Sequence, residues 1–187
     1  EHLDTLFMAR VSPFGYSTYW LESDNVQADK ELSGENNFFM ENEFISVELG
    51  AQTGYIKSLV NKETGVDYAE ENFLSIPTVI DDHETDTWAH NVFKFHNVKG
   101  LMELVSIERV ENGALRSVIR TVHKFNESYL TQEFILAKGQ KTLKVECKAL
   151  WQEKFSILKF AFPVGGYKEI STYEIPCGFI KRPCDGD

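Results

Sequence analysis

Thr142-Leu143-Lys144-Val145-Glu146-Cys147-Lys148-Ala149-Leu150-Trp151 alternates with a period of two. Leu143, Val145, Cys147, Ala149 and Trp151 share one side; Lys144, Glu146 and Lys148 share the other. Successive side chains of a strand point to opposite faces of its sheet, so this pattern predicts a strand with one buried face. Working backwards, Lys138-Gly139-Gln140 is a turn, preceded by a strand-type run over residues 129–137. Asn126-Glu127-Ser128 makes another turn, preceded by residues 115–125, rich in Val, Ile and Thr. Before that, Glu111-Asn112-Gly113 follows the run 102–110. Asn-Gly between two apolar runs is a hairpin signal, because both residues tolerate positive φ. Four consecutive strands joined by short turns predict an antiparallel meander.

Further out, residues 38–40, 44–49 and 55–60 read as short strands, with Asn61-Lys62-Glu63-Thr64-Gly65 a turn whose glycine suits a left-handed conformation. On the other side, residues 157–162 alternate, and 173–175 and 179–181 are short runs flanked by Pro176 and Pro183, which suggests sheet edges. No segment keeps a 3.6-residue period. The expectation is an all-β chain folded as a large antiparallel β-sandwich of two stacked sheets. A chain of 187 residues suits one such domain. Residues 23–37 are polar and unpatterned, so residues 1–36 read as a leading strand (18–21) and linker, and 37–187 as the main sandwich.

The formal net charge is −10. Such a surface repels phosphate backbones and anionic lipid, so neither nucleic acid nor a membrane is an expected partner. No run of about 18 apolar residues suggests a membrane span. Cys147, Cys177 and Cys184 form no Cys-x-x-Cys pair, and their odd number gives no disulfide framework. A reduced, cytoplasmic setting is the simpler reading. The chain opens on Glu1 and closes on the polar Cys184-Asp185-Gly186-Asp187, which reads as a piece of a longer protein.

Polar chemistry is densest in Asp81-Asp82-His83-Glu84-Thr85-Asp86-Thr87-Trp88-Ala89-His90. The carboxylates suit a hard cation. His83 and His90 suit zinc. Trp88 suits stacking on a sugar ring, with Asp86 accepting hydroxyl hydrogen bonds. An exposed acidic loop whose tryptophan plugs the end of the sandwich explains the same residues without any ligand. Glu133 and Glu146 fall on neighbouring strands and offer a carboxylate pair, although Glu146 sits among lysines, as on a solvated face. His96 and His123 read as structural. No nucleophile elbow or phosphate loop occurs.

An ordered set of motifs resembles the α-mannosidases of glycoside hydrolase family 38. It comprises Pro13-Phe14-Gly15-Tyr16-Ser17, Glu41-Asn42-Glu43-Phe44-Ile45, Thr53-Gly54-Tyr55-Ile56-Lys57-Ser58-Leu59, Asn61-Lys62-Glu63-Thr64-Gly65, and the run from Thr172 through Pro176-Cys177-Gly178 to Arg182-Pro183. The resemblance spans nearly the whole chain. It implies the central β-sandwich, of the galactose-mutarotase-like supersandwich type, within a zinc-dependent retaining enzyme that hydrolyses α-linked mannose. It also implies that the zinc and the catalytic carboxylates belong to a preceding α/β barrel. This stretch would then carry no catalytic residue or metal ligand, would be inactive alone, and would have as partners that barrel, a helix bundle and a mannose-containing oligosaccharide. By the same resemblance Asp86, Trp88 and His90 lie toward the barrel, as substrate contacts or as packing; Ala89-His90 departs from the family's frequent Asp-Ala-Trp-Asp form. An independent carbohydrate-binding module and an aldose-epimerase-like enzyme are the alternative readings.

Overall fold

The computed structural model describes residues 6–20, 37–69, 72–82, 88, 90, 95–164 and 170–183. Among these, every regular element is a strand: β1 (Phe39–Glu41), β2 (Ile45–Leu49), β3 (Ile56–Asn61), β4 (Val66–Asp67), β5 (Ile76–Asp81), β6 (Val98–Leu101), β7 (Glu103–Asn112), β8 (Arg116–Phe125), β9 (Ser128–Ala137), β10 (Lys144–Leu150), β11 (Ser156–Ala161), β12 (Ile170–Ile175) and β13 (Gly178–Pro183).

The meander is present as one antiparallel sheet in the order β10-β9-β8-β7. Its central pair runs in unbroken register from Arg116↔Ala137 to Phe125↔Ser128. The β7–β8 turn does not use the anticipated chemistry. Asn112 ends β7, Gly113 N donates to Arg116 O at 2.9 Å, and neither Asn112 nor Gly113 has positive φ. The left-handed residues lie at the next two turns, at Asn126 (φ 48°) and Gly139 (φ 73°). Gly65 is left-handed as read, at φ 72°, inside a turn whose Asn61 Oδ1 accepts from the Glu63 and Thr64 amides.

The second layer consists of two sheets, β1-β2-β3-β4 and β11-β5-β6. β2 follows the alternation, with Ile45, Val47 and Leu49 buried and Ser46 and Glu48 half-buried. β5 was not legible as a strand: Ile76-Pro77-Thr78-Val79-Ile80-Asp81 does not alternate, and it contains a proline. It is nonetheless the middle strand of its sheet, with residues 77–80 all buried. Pro77 is only the second residue of β5, and its carbonyl still accepts from Met102 N at 3.1 Å. β6 is short and contains Gly100, where a Cβ would come within 2.8 Å of the Phe125 ring.

Two apolar clusters fill the interior. The larger joins Met40, Val47, Leu49 and Ile56 of the second layer to Ile119, Phe134 and Leu136 of the meander. The smaller joins Val79 to Met102 and Leu130, with Leu158, Phe160 and Trp151 packed against it. Both draw on both layers, which makes the assembly a sandwich. β10 is covered less than its alternation implied. Val145 packs on the larger cluster, but Cys147 and Ala149, further along this edge strand, are exposed. β12 and β13 pair only with each other among the described residues, in keeping with the prolines beside them. Residues 18–20 form no strand. The segment closes on itself instead, with the Tyr19 hydroxyl donating to Arg10 O at 2.8 Å and accepting from Arg10 N at 2.6 Å. Leu21 and residues 22–36 lie outside the described residues.

Candidate functional site

The acidic loop leaves the sandwich at the end of β5. Asp81 closes that strand opposite Ser156, and Asp82 N donates to Phe155 O at 2.9 Å. Lys99 Nζ lies 3.6 Å from the Asp81 carboxylate. Beyond this point Trp88 is 80% exposed and His90 is also exposed. Asp86, His83 and Glu84 lie outside the described residues, so Trp88 and His90 are the described part of the anticipated contact set. No group of three or more His, Cys, Asp or Glu among the described residues is placed to hold a metal ion.

Glu133 and Glu146 are direct neighbours across β9 and β10. They lie on the outer face of the meander, in a transverse row that continues through Arg120 to Glu108. Arg120 donates to Glu133 at 2.7 and 2.8 Å and to Glu108 at 3.2 Å. Lys144 pairs with Glu146, and that hydrogen bond holds the Glu146 carboxyl below its ordinary range. An acid–base dyad needs one carboxyl kept protonated; the Lys144 bond favours the charged form of Glu146.

Behind that row, the inner face carries buried polar residues between the two apolar clusters. His123, Thr121 and Gln132 are each 0% exposed. His123 Nε2 lies 2.8 Å from Thr53 O, and its ring stacks on Tyr55 with centroids 5.6 Å apart. Burial pushes its pKa down, which keeps the ring neutral at pH 7. Gln132 Nε2 donates to Ser75 Oγ at 3.1 Å. Ser75 is itself buried and left-handed, at φ 60°, where the chain passes from the Ile56–Leu74 bridge into β5. The alternation of β9 assigns Gln132 to the buried face, but it cannot say which polar groups meet it there.

A cleft of about 520 Å³ opens at one end of the sandwich, lined by Glu41, Asn42, Glu43, Lys62, Arg116 and Lys138 among others. Its polar groups are engaged with one another and with the backbone, some of them across the joint between the layers. Asn42 accepts from the Phe44 and Ile45 amides and donates to Ala137 O and Gln140 O. Glu41 pairs with Lys62, and Arg116 forks onto Glu111. Bonds from its own amide and from that of Gly139 hold the Glu43 carboxyl low.

A family model described as "Glycosyl hydrolases family 38 C-terminal domain" matches residues 40–187. Among solved structures, an alpha-mannosidase from Enterococcus faecalis V583 shares the fold with a TM-score of 0.67 at 18% identity, over 83% of this chain and 20% of that one. The chain thus spans about a fifth of that protein's length. Among curated protein sequences, none matches.

Proposed function

The chain belongs to glycoside hydrolase family 38, and on that premise we propose that it is the non-catalytic central β-sandwich of a zinc-dependent retaining α-mannosidase acting on α-linked mannose in glycans or oligosaccharides. The observation that supports this reading is the family match, which is to the family's C-terminal domain. Retaining hydrolysis needs two carboxyl groups about 5–5.5 Å apart flanking a sugar cleft, one of them protonated. The facing carboxylates described here, Glu133 and Glu146, are committed to cations on an open sheet face. Among the described residues no three His, Cys, Asp or Glu side chains are grouped to hold a metal ion, so none of them is assigned to zinc. We place zinc, nucleophile and acid–base on a preceding barrel. Residues 37–187 then form one unit that packs against that barrel and a helix bundle, with residues 1–36 as the lead-in. The odd number of cysteines, with no Cys-x-x-Cys pair, supports a reducing, cytoplasmic setting.

Incubating the purified chain with an aryl α-mannoside tests the assignment. The expected result is no aryl alcohol above buffer, while the full-length enzyme releases it in a zinc-dependent way. Release by the chain alone overturns the non-catalytic role. The exposure of Trp88 favours a second reading, a mannose contact that stacks a pyranose on the indole. Calorimetry with mannose or mannan decides it: heat that vanishes in Trp88→Ala supports the contact, and no heat at millimolar sugar removes it.

A further inference from the structure

Among the described residues, three fully buried side-chain atoms have no protein hydrogen-bond partner: Thr121 Oγ1, His123 Nδ1 and Gln132 Oε1. They belong to neighbouring positions. Thr121 faces Gln132 in register, and His123 follows Thr121 by two on the same face of β8. Directly opposed Cβ atoms in such a pair lie about 4.5–5.5 Å apart, and successive positions on one face about 7 Å apart. Native interiors leave few polar groups unpaired, so three side by side call for a common partner.

The partners already present fix what each atom can do. Thr53 O can only accept, so His123 Nε2 carries the proton and Nδ1 offers a lone pair. With the Gln132 amide oriented so that its nitrogen donates to Ser75 Oγ, beside the Cys147 thiol, its oxygen is a second acceptor. The Thr121 hydroxyl rotates and supplies a donor. Two acceptors and one donor complement a water molecule, which donates twice and accepts once. A cation is a poor match, because these groups bring no negative charge to offset its burial. An anion is worse, because it would meet two lone pairs.

We propose that Thr121, His123 and Gln132 bind one structural water, which donates to His123 Nδ1 and Gln132 Oε1 and accepts from Thr121 Oγ1. Buried waters typically make about three hydrogen bonds to otherwise unsatisfied groups, as here. Through His123 to Thr53, and through Gln132 to Ser75, the water ties β8 and β9 to the place where the two sheets of the second layer meet. It thereby completes the hydrogen bonding of the gap between the two apolar clusters.

Oxygen-17 relaxation dispersion of solvent water, on the purified full chain and on Thr121→Val, tests this. Val keeps the shape of Thr and removes the donor. The expected result is loss of one long-lived water and a lower melting temperature in the variant. Unchanged dispersion with an unchanged or raised melting temperature overturns the proposal, because removing a dry, orphaned hydroxyl is neutral or stabilising. Should Thr121→Val not fold, a high-resolution crystal structure of the unaltered chain decides. A density peak within about 3.2 Å of all three atoms supports the water, and a dry contact among them overturns it.

Discussion

On the outer face of β8 and β9, Arg120 reaches Glu133 and Glu108, and both ion pairs stay in contact with solvent. One position along each strand, on the inner face, Thr121 and Gln132 are sealed from it. A shift of one residue exchanges the faces of a strand, so chemically similar side chains meet opposite conditions here. Outside, full charges are tolerated, because water solvates each partner and competes with the pair. Inside, only neutral dipoles occur, and each unmet hydrogen bond carries its whole desolvation cost. Of these two rows only the inner one helps to hold the layers together: His123 and Gln132 reach the second layer, whereas the Arg120–Glu133 and Arg120–Glu108 pairs stay within their own sheet.

The sharpest break comes from the apolar residue that shares the inner face with Gln132. Phe134→Ala empties a fully buried site between the layers and should cost about 3–5 kcal/mol in urea denaturation. Next is Gly54→Ala. Gly54 is left-handed at φ 68°, and a Cβ there would lie 2.7 Å from Leu104 Cδ1 and 3.0 Å from the His123 ring. Backbone strain and overpacking together should cost roughly 2–4 kcal/mol. Gly65→Ala is the control, because φ is 72° but nothing lies within 4 Å of the new Cβ. It should cost about 1 kcal/mol. Equal losses at the two glycines would mean that the approach of Gly54 to His123 is not tight, and the inner row would lose its claim to hold the layers in place.

The meander and β2 were legible because their alternation reports burial directly. β5 was not, because a strand buried on both faces loses its alternation and Pro77 breaks its pattern. The Asn112-Gly113 signal located a hairpin but misjudged its turn, since sequence reports tolerance of positive φ and not its use. Cys147 and Ala149 alternate correctly yet remain exposed, because whether a face finds a partner depends on the other layer. The candidate site was less legible still. Trp88 and His90 were singled out, and the structure places them at the surface, whereas the meeting of His123 with Thr53 and of Gln132 with Ser75 joins residues 70 and 57 positions apart. Local pattern carries no record of such contacts.

A smaller effect separates the faces by pH. Burial depresses the pKa of His123 in the folded chain, so the unfolded chain binds more protons below about 6.5. Stability therefore holds above that pH and declines as pH falls through the unfolded and then the folded value. Tyr55, stacked on the ring, is pushed up by its own burial and stays neutral throughout that range. Comparing urea midpoints from pH 7.5 to 5.5 in the wild type and in His123→Gln isolates the contribution. The wild type should lose more on acidification, and parallel curves would place no titrating burden on His123.

The smallest effect is expected outside. Arg120→Ala removes both ion pairs of the outer row, but the side chains of Arg120 and Glu133 are 36% and 29% exposed. The loss should stay under about 1 kcal/mol. It should shrink further in 1 M salt, where screening acts within about 3 Å. A larger, salt-insensitive loss in this chain would mean that the outer row behaves as a buried network, and the contrast between the faces would fail. The same substitution in the full-length protein carries the comparison further. If the cost rises only there, another part of that protein covers the outer face. If it stays small in both, that face remains wet, and the proposed packing against a barrel must use other surfaces of the sandwich.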